Sequence, residues 1–257
     1  MISRGGVSRA IVVAISTVLA AFTVAACNGV PNTATHGGLP FYRSKELTPE
    51  WVSAQAAVSA TMHRVPVFAF TNHRGEPVTN RALSGRVTLV HFFYASCGRV
   101  CPRAVSSIQR LLQSMQMDTA FQVLSYTVQP ERDSVAALGM YARHHEITDA
   151  RWQLLTGAWS EIEALATRGY FVNLRDGASY GTDDLAHTET LVLVDQDARI
   201  RGVYNATLAL DMEQIGRDVK VLERERTAAS ATLRTPCTPE PAVRCVPGST
   251  AVTRSGS

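Results

Sequence analysis

Hydrophobic positions fall into short blocks whose spacing alternates between two periods. Residues 86–94 (Arg-Val-Thr-Leu-Val-His-Phe-Phe-Tyr) are apolar on both alternating faces, the pattern of a central strand covered on both sides. Val105, Ile108, Leu111, Leu112 and Met115 then recur at helical spacing, which predicts an amphipathic helix. Upstream, residues 65–70 read as a strand, and Asn72-His73-Arg74-Gly75 as a turn into a second short one. Downstream, the pattern predicts a strand over 121–128 and a helix over 133–145 with Asp133 or Ser134 as its N-cap. A short strand over 152–155 and a helix over 160–168, opened by Ser160 and Glu161, come next. Residues 190–194 and 200–204 alternate around Asp195-Gln196-Asp197 as a hairpin, and a helix over 210–222 closes the series. Strand–helix alternation followed by a hairpin and a helix predicts an α/β fold with a mixed central sheet flanked by helices. Beyond about Glu225 the chain turns to Thr, Ala, Ser and Pro and loses its period, so residues 225–257 are expected to form a disordered tail.

The N-terminus follows a different logic. Arg4 and Arg9 precede residues 10–26, a 17-residue stretch without charge that ends in Val24-Ala25-Ala26-Cys27. A basic start, an apolar run and small residues at a cleavage point make a secretory signal, expected over residues 1–26. The run is short for a spanning helix, which needs about 20 residues. Val-Ala-Ala-Cys resembles a bacterial lipobox, in which Cys27 is lipidated and becomes the new N-terminus. The alternative is an uncleaved signal anchor with a free Cys27. Either way the body of the protein lies outside the cytoplasm, where thiols can oxidise. Asn28 after the cysteine leans towards the outer membrane by the usual sorting rule. Residues 27–60 then read as a tether whose later part, Leu39-Pro40-Phe41-Tyr42 and Thr48-Pro49-Glu50-Trp51, is apolar enough to pack on a domain edge. That leaves residues 61–224 as the domain.

Composition narrows the function. The chain has 257 residues, 46% hydrophobic, and 25 Lys+Arg against 22 Asp+Glu, a formal charge of +3. Loss of Arg4 and Arg9 would leave +1, no electrostatic footprint for nucleic acid. Of five cysteines, lipidation consumes Cys27 and leaves Cys97, Cys101, Cys237 and Cys245. Cys237 and Cys245 read as a local disulfide in the tail, or else as an auxiliary metal or redox pair.

Cys97 and Cys101 sit between a buried strand and the start of a helix. Pro102 is tolerated only in a helix's first turn, so the helix should begin near Cys101 or Pro102. Unpaired N–H groups there favour thiolates. Two convergent thiols support redox exchange or a soft metal; a structural disulfide is the alternative, although a domain of this size needs no staple. Two thiolates and an imidazole suit Cu(I), and the same trio can hold Cu(II) with additional donors. Of seven histidines, His36 lies in the tether, His63 and His73 flank the first strand, His91 reads as a hydrogen-bonded core residue, and His144 and His145 end a helix. His187 immediately precedes the strand over 190–194, on the side of the sheet where the Cys97 loop emerges, but its spacing is not diagnostic.

At these residues the chain resembles the Sco/SenC family, thioredoxin-fold proteins that deliver copper to the binuclear site of cytochrome c oxidase. The runs that carry the resemblance are Leu39-Pro40-Phe41-Tyr42, Thr48-Pro49-Glu50-Trp51, Phe68-Ala69-Phe70-Thr71-Asn72, residues 92–102 with Cys-x3-Cys-Pro, Pro130-Glu131-Arg132-Asp133, and residues 187–204. The resemblance implies a thioredoxin-like fold and copper ligands at Cys97, Cys101 and His187. It implies as partner the copper-accepting subunit of the oxidase, or another periplasmic copper protein. It also leaves a second role for the cysteines, as a redox pair of a thiol–disulfide oxidoreductase acting on the acceptor's cysteines. The sequence departs from the family at Gly98-Arg99, at Gln129 and at Ala186, none of which removes a ligand.

Overall fold

A computed structural model describes residues 38–52, 54–57, 62–96, 101–115, 120–174 and 189–234. Seven strands make one mixed sheet: β1 (Ala69–Asn72), β2 (Pro77–Thr79), β3 (Val87–Phe93), β4 (Phe121–Thr127), β5 (Trp152–Thr156), β6 (Thr190–Val194) and β7 (Ile200–Asn205), in the order β2-β1-β5-β4-β3-β6-β7. β3, β4 and β5 run parallel, joined by the helices α2 (Cys101–Ser114) and α3 (Val135–His144). β1 and β6 flank that trio antiparallel, on β5 and β3 respectively. A one-turn helix α1 (Ala54–Ala57) precedes the sheet; α4 (Trp159–Ala164) runs into a π-helical turn over Leu165–Gly169, and α5 (Ala209–Arg234) ends the described chain.

The doubly apolar reading of β3 follows from the pleat. Val87, Leu89 and Phe93 enter a core with Ala104, Val105 and Ile108 of α2, Leu138 and Tyr141 of α3, and Ile215, Val219 and Leu222 of α5. Val90 and Phe92 point the other way, into a core with Phe68, Phe70, Ile162, Leu165 and Tyr170. His91 is 1% exposed, its Nδ1 3.4 Å from the Ser125 hydroxyl, which also accepts the indole N–H of Trp152 at 2.9 Å. It is a core histidine, as its neighbours predict. Ser134, not Asp133, caps α3 by accepting the Ala137 N–H at 3.2 Å. The first strand starts at Ala69 rather than residue 65, because Pro66 has no N–H to lend a ladder and Val65 N–H is spent on Ala198 O at 2.8 Å.

Two boundaries need correction. The closing helix does not stop at Leu222, and residues 225–234 are not disordered tail: α5 continues to Arg234. The segment after Leu222 loses its apolar stripe but keeps Glu, Arg, Ala and Leu, good helix formers that need no buried face to extend an established helix. Residues 235–257, with Cys237 and Cys245, lie outside the described residues. Likewise the chain divides into the units Met1–Gly37 and Gly38–Ser257, so residues 38–57, read as tether, belong with the domain. Phe41 and Glu50 form an isolated antiparallel bridge, and Phe41 is buried with Ala57 and Met62.

Arg201 is what holds that segment. It is 2% exposed, and all five guanidinium N–H groups find acceptors: Pro40 O (3.0 Å), Leu39 O (2.7 Å), Asp195 Oδ2 (3.2 Å) and both oxygens of Glu225 (2.8 and 3.1 Å). Its guanidinium carbon also sits 3.9 Å from the Phe41 ring centroid. Glu225, in the stretch read as tail, thus ties α5 to both the hairpin and the entering chain. We predict that Arg201→Leu lowers stability by about 2–4 kcal/mol, since it strands the Leu39 and Pro40 carbonyls and removes the partner of Glu225, whereas Asp195 keeps Arg199 at 2.9 Å. Urea unfolding measures this, and a loss below about 1 kcal/mol would contradict it.

Candidate metal centre

The candidate ligands come from two loops at one sheet edge. β3 leaves the core at Phe93, and its chain is described as far as Ser96, one residue short of Cys97; it resumes at Cys101, the first residue of α2, with Pro102 second. That start agrees with the position of the proline. Cys97, the Cys101 side chain and His187 lie outside the described residues, as do Cys27 and His36.

What the structure does describe is how the two loops are held. Asp133 is 2% exposed and sits under the stem of the cysteine loop. Its Oδ2 accepts the Ala95 N–H at 3.0 Å and the hydroxyl of Thr127 at the end of β4. The Thr127 hydroxyl oxygen in turn accepts Gln129 N–H at 3.0 Å, and the Asp133 N–H returns to Gln129 O at 2.9 Å. One residue nearer the cysteine, the Ser96 hydroxyl donates to Gln129 Oε1 at 3.4 Å. A buried carboxylate whose Oδ2 accepts both a backbone N–H and a hydroxyl fixes where the stem leaves the sheet. Sequence reasoning offered Asp133 only as a helix cap. The signal that it does more is the adjacent Ser134, which already fills that role.

The second loop is placed by strand register. β6 pairs antiparallel with β3, Leu191 opposite His91 and Val192 opposite Val90, so the chain enters β6 at the edge where β3 ends. Glu189, two residues beyond His187, is locked there: its carbonyl accepts Ala206 N–H at 2.7 Å, and its carboxylate accepts the Asn205 side-chain amide at 2.8 Å. The sheet thus brings the stems of the Cys97 and His187 loops to one edge, whereas the sequence puts them about 90 residues apart.

The other described histidines are engaged elsewhere. His63 pairs with Gly169 O at 2.9 Å and packs on Phe171. His73 accepts Leu154 N–H at 3.2 Å, and burial, helped by Arg74, pushes its pKa down, which favours the neutral ring that accepting requires. His144 and His145 pack ring to ring 4.9 Å apart; burial first, then His144, lowers the pKa of His145.

Comparison with known proteins now bears on this edge. The SCO1/SenC family model matches residues 57–222. The SCO1 protein homolog of Bacillus subtilis is 28% identical over 162 residues, spanning 62% of this chain and 82% of that protein. A putative copper-binding protein of Stutzerimonas stutzeri is 25% identical over 149 residues, spanning 57% and 72%. Among solved structures, BsSco, a Sco-family cytochrome c oxidase assembly protein with a disulfide switch, superposes with a TM-score of 0.57 at 25% identity, covering 63% of this chain and 95% of its own. Bradyrhizobium japonicum ScoI with copper bound superposes with a TM-score of 0.50 at 28% identity, covering 61% and 98%. A match over most of the folded region, joined to the thioredoxin-like sheet these structures share, establishes that the chain belongs to the SCO1/SenC family.

Proposed function

We propose that this protein binds copper as cargo and serves cytochrome c oxidase assembly outside the cytoplasm, delivering the ion to the copper-accepting subunit of the oxidase. The observation that carries the reading is the family match over residues 57–222; its likeness to a copper-bound ScoI of 28% identity supports copper as the ion. In this reading Cys97 and Cys101 supply thiolates and His187 an imidazole. Two sulfurs and one nitrogen suit Cu(I), and they leave a coordination position for an incoming donor. An acceptor thiolate can then displace one ligand at a time, so the ion passes over without being released to solvent. Copper keeps its oxidation state, and each displaced thiolate takes up a proton. The convergence of the two loop stems on one edge supports this geometry, because the ligand elements approach from strands that are directly hydrogen-bonded.

A second reading is favoured by the disulfide switch of BsSco. Here the protein is an extracytoplasmic thiol–disulfide oxidoreductase that reduces the acceptor's cysteines. Cys97 attacks an acceptor disulfide, the acceptor's leaving sulfur is released as a thiolate, and Cys101 resolves the mixed disulfide. The acceptor gains two electrons and this protein is left oxidised. Both roles use the same thiols; only the first requires His187.

Cys27 is proposed to carry the lipid that anchors the chain to a membrane, after removal of residues 1–26.

Three outcomes are expected. In anaerobic copper titration followed by absorption and EPR, the reduced wild type takes up copper stoichiometrically and His187→Ala does not, while its disulfide exchange with a small-molecule disulfide is largely retained. Equal copper uptake by the variant would remove the imidazole from the account. Cys97→Ser loses both activities, whereas Cys101→Ser loses copper binding and halts exchange at the mixed disulfide; a variant that keeps tight copper binding would show that its thiol is not a ligand. In cells fed an alkyne fatty acid, the wild type is labelled and Cys27→Ser is not, and label on the variant would refute lipidation at Cys27.

A further inference from the structure

We propose that the outer face formed by α2 and α5 is a docking surface for an anionic phospholipid bilayer. Of the six exposed cations described on these two helices, five are counted to this face, Arg103 and Arg110 on α2 and Arg217, Lys220 and Arg224 on α5, while Arg226 falls on the far side of α5. Arg217 and Arg224 follow Leu210 at intervals of seven residues, two turns each, so the three share one stripe, with Lys220 beside them. Leu210 is 75% exposed, and Leu208 ahead of it 53%.

The cations are little used by the fold. Arg217 reaches Glu213 at only 3.9 Å and otherwise donates to Gln214; Arg110 donates to the Ser107 hydroxyl. Among the described residues, Arg103, Lys220 and Arg224 have no carboxylate at ion-pair distance. Glu213 and Glu223 are the carboxylates on the same side, so the face keeps a positive excess on a chain whose total is only +3. Between the helices runs a groove of ≈ 490 Å³ lined by Leu111, Met115 and Met212 together with Arg110, Arg217 and Lys220, and with Glu213 as its one carboxylate. Cations around apolar ground, with aliphatic side chains at one end, match the headgroup region of an anionic bilayer.

The place where the chain enters the domain selects a membrane as the occupant. Leu39 N–H donates to Glu225 Oε1 at 3.3 Å, and Leu39 O accepts from Arg201, which grips the same carboxylate. The N-terminal segment therefore meets the domain on α5, next to Arg224. Gly38 follows Cys27 by only eleven positions, a reach of about 40 Å at full extension. A lipid at Cys27 would hold α5 close to the bilayer, so that even a weak electrostatic contact is formed most of the time. That step rests on the lipidation reading above, but the surface itself does not.

The test uses residues 38–257, the unit that holds both cores and lacks Cys27, so that its outcome is independent of lipidation. The protein is sedimented with vesicles of phosphatidylcholine alone or mixed with phosphatidylglycerol. Binding is expected to the mixed vesicles only, and to fall steeply as salt rises. Replacing Arg217, Lys220 and Arg224 together by Gln should weaken it roughly a hundredfold. The same change at Arg81, Arg86 and Arg168, which lie off this face, should leave it within about twofold. Circular dichroism and thermal melting check that both variants are folded. Equal binding to neutral vesicles, no binding, salt-independent binding, or equal loss in the two variants would each overturn the proposal.

Discussion

The antiparallel pairing of β6 with β3 is the constraint on which the functional edge depends. β3 is the strand that delivers the cysteine loop, and it is buried by opposite side-chain sets in two cores. With its other neighbour, β4, parallel, the flank left to β6 could be filled in either direction. The direction taken sends the entry to β6, rather than its exit, to the end of β3 from which the chain continues towards residue 97. Had β6 run parallel, Glu189 and the loop before it would lie at the opposite edge. Since a slip of one residue turns every side chain of a strand to the other face, four-residue register with β3 and continued pairing to β7 fix the arrangement firmly.

Most of the elements were legible because their burial is regular. β3 is buried on both faces and reads as apolar on both, and α2 has one buried stripe and reads as such. What escaped was held by polar contacts that leave no period. Beyond Leu222 the sequence of α5 loses its apolar period, so its helicity is invisible to an argument from apolar spacing, and Glu225 reads as tail although it anchors Arg201. Residues 39–42 read as the apolar end of a tether, able to pack on a domain edge, but what fixes them there comes from carbonyl oxygens, which every sequence possesses. The anchoring role of Asp133 has the same origin. The cysteine pair and Pro102 were legible locally, whereas His187 drew support from family resemblance, because no spacing rule links positions so far apart in the chain.

These polar clamps divide the labour with the cores. The two hydrophobic clusters specify the sheet and its layers; Asp133 and Glu189 specify where two loops leave it, and Arg201 where the chain arrives. A protein that handles a metal ion in transit needs ligand loops able to rearrange on stems that do not. Stems on hydrogen-bonded strands meet the second requirement.

The account's central claim is that a nitrogen from the loop before β6 and two sulfurs from the loop after β3 bind one copper ion. X-ray absorption at the copper edge of the reduced, singly loaded protein addresses it most directly. Two sulfur scatterers with one imidazole nitrogen are expected, the nitrogen disappearing in His187→Ala. A spectrum with sulfur alone in the wild type, or an imidazole signal that survives the substitution, would contradict the claim.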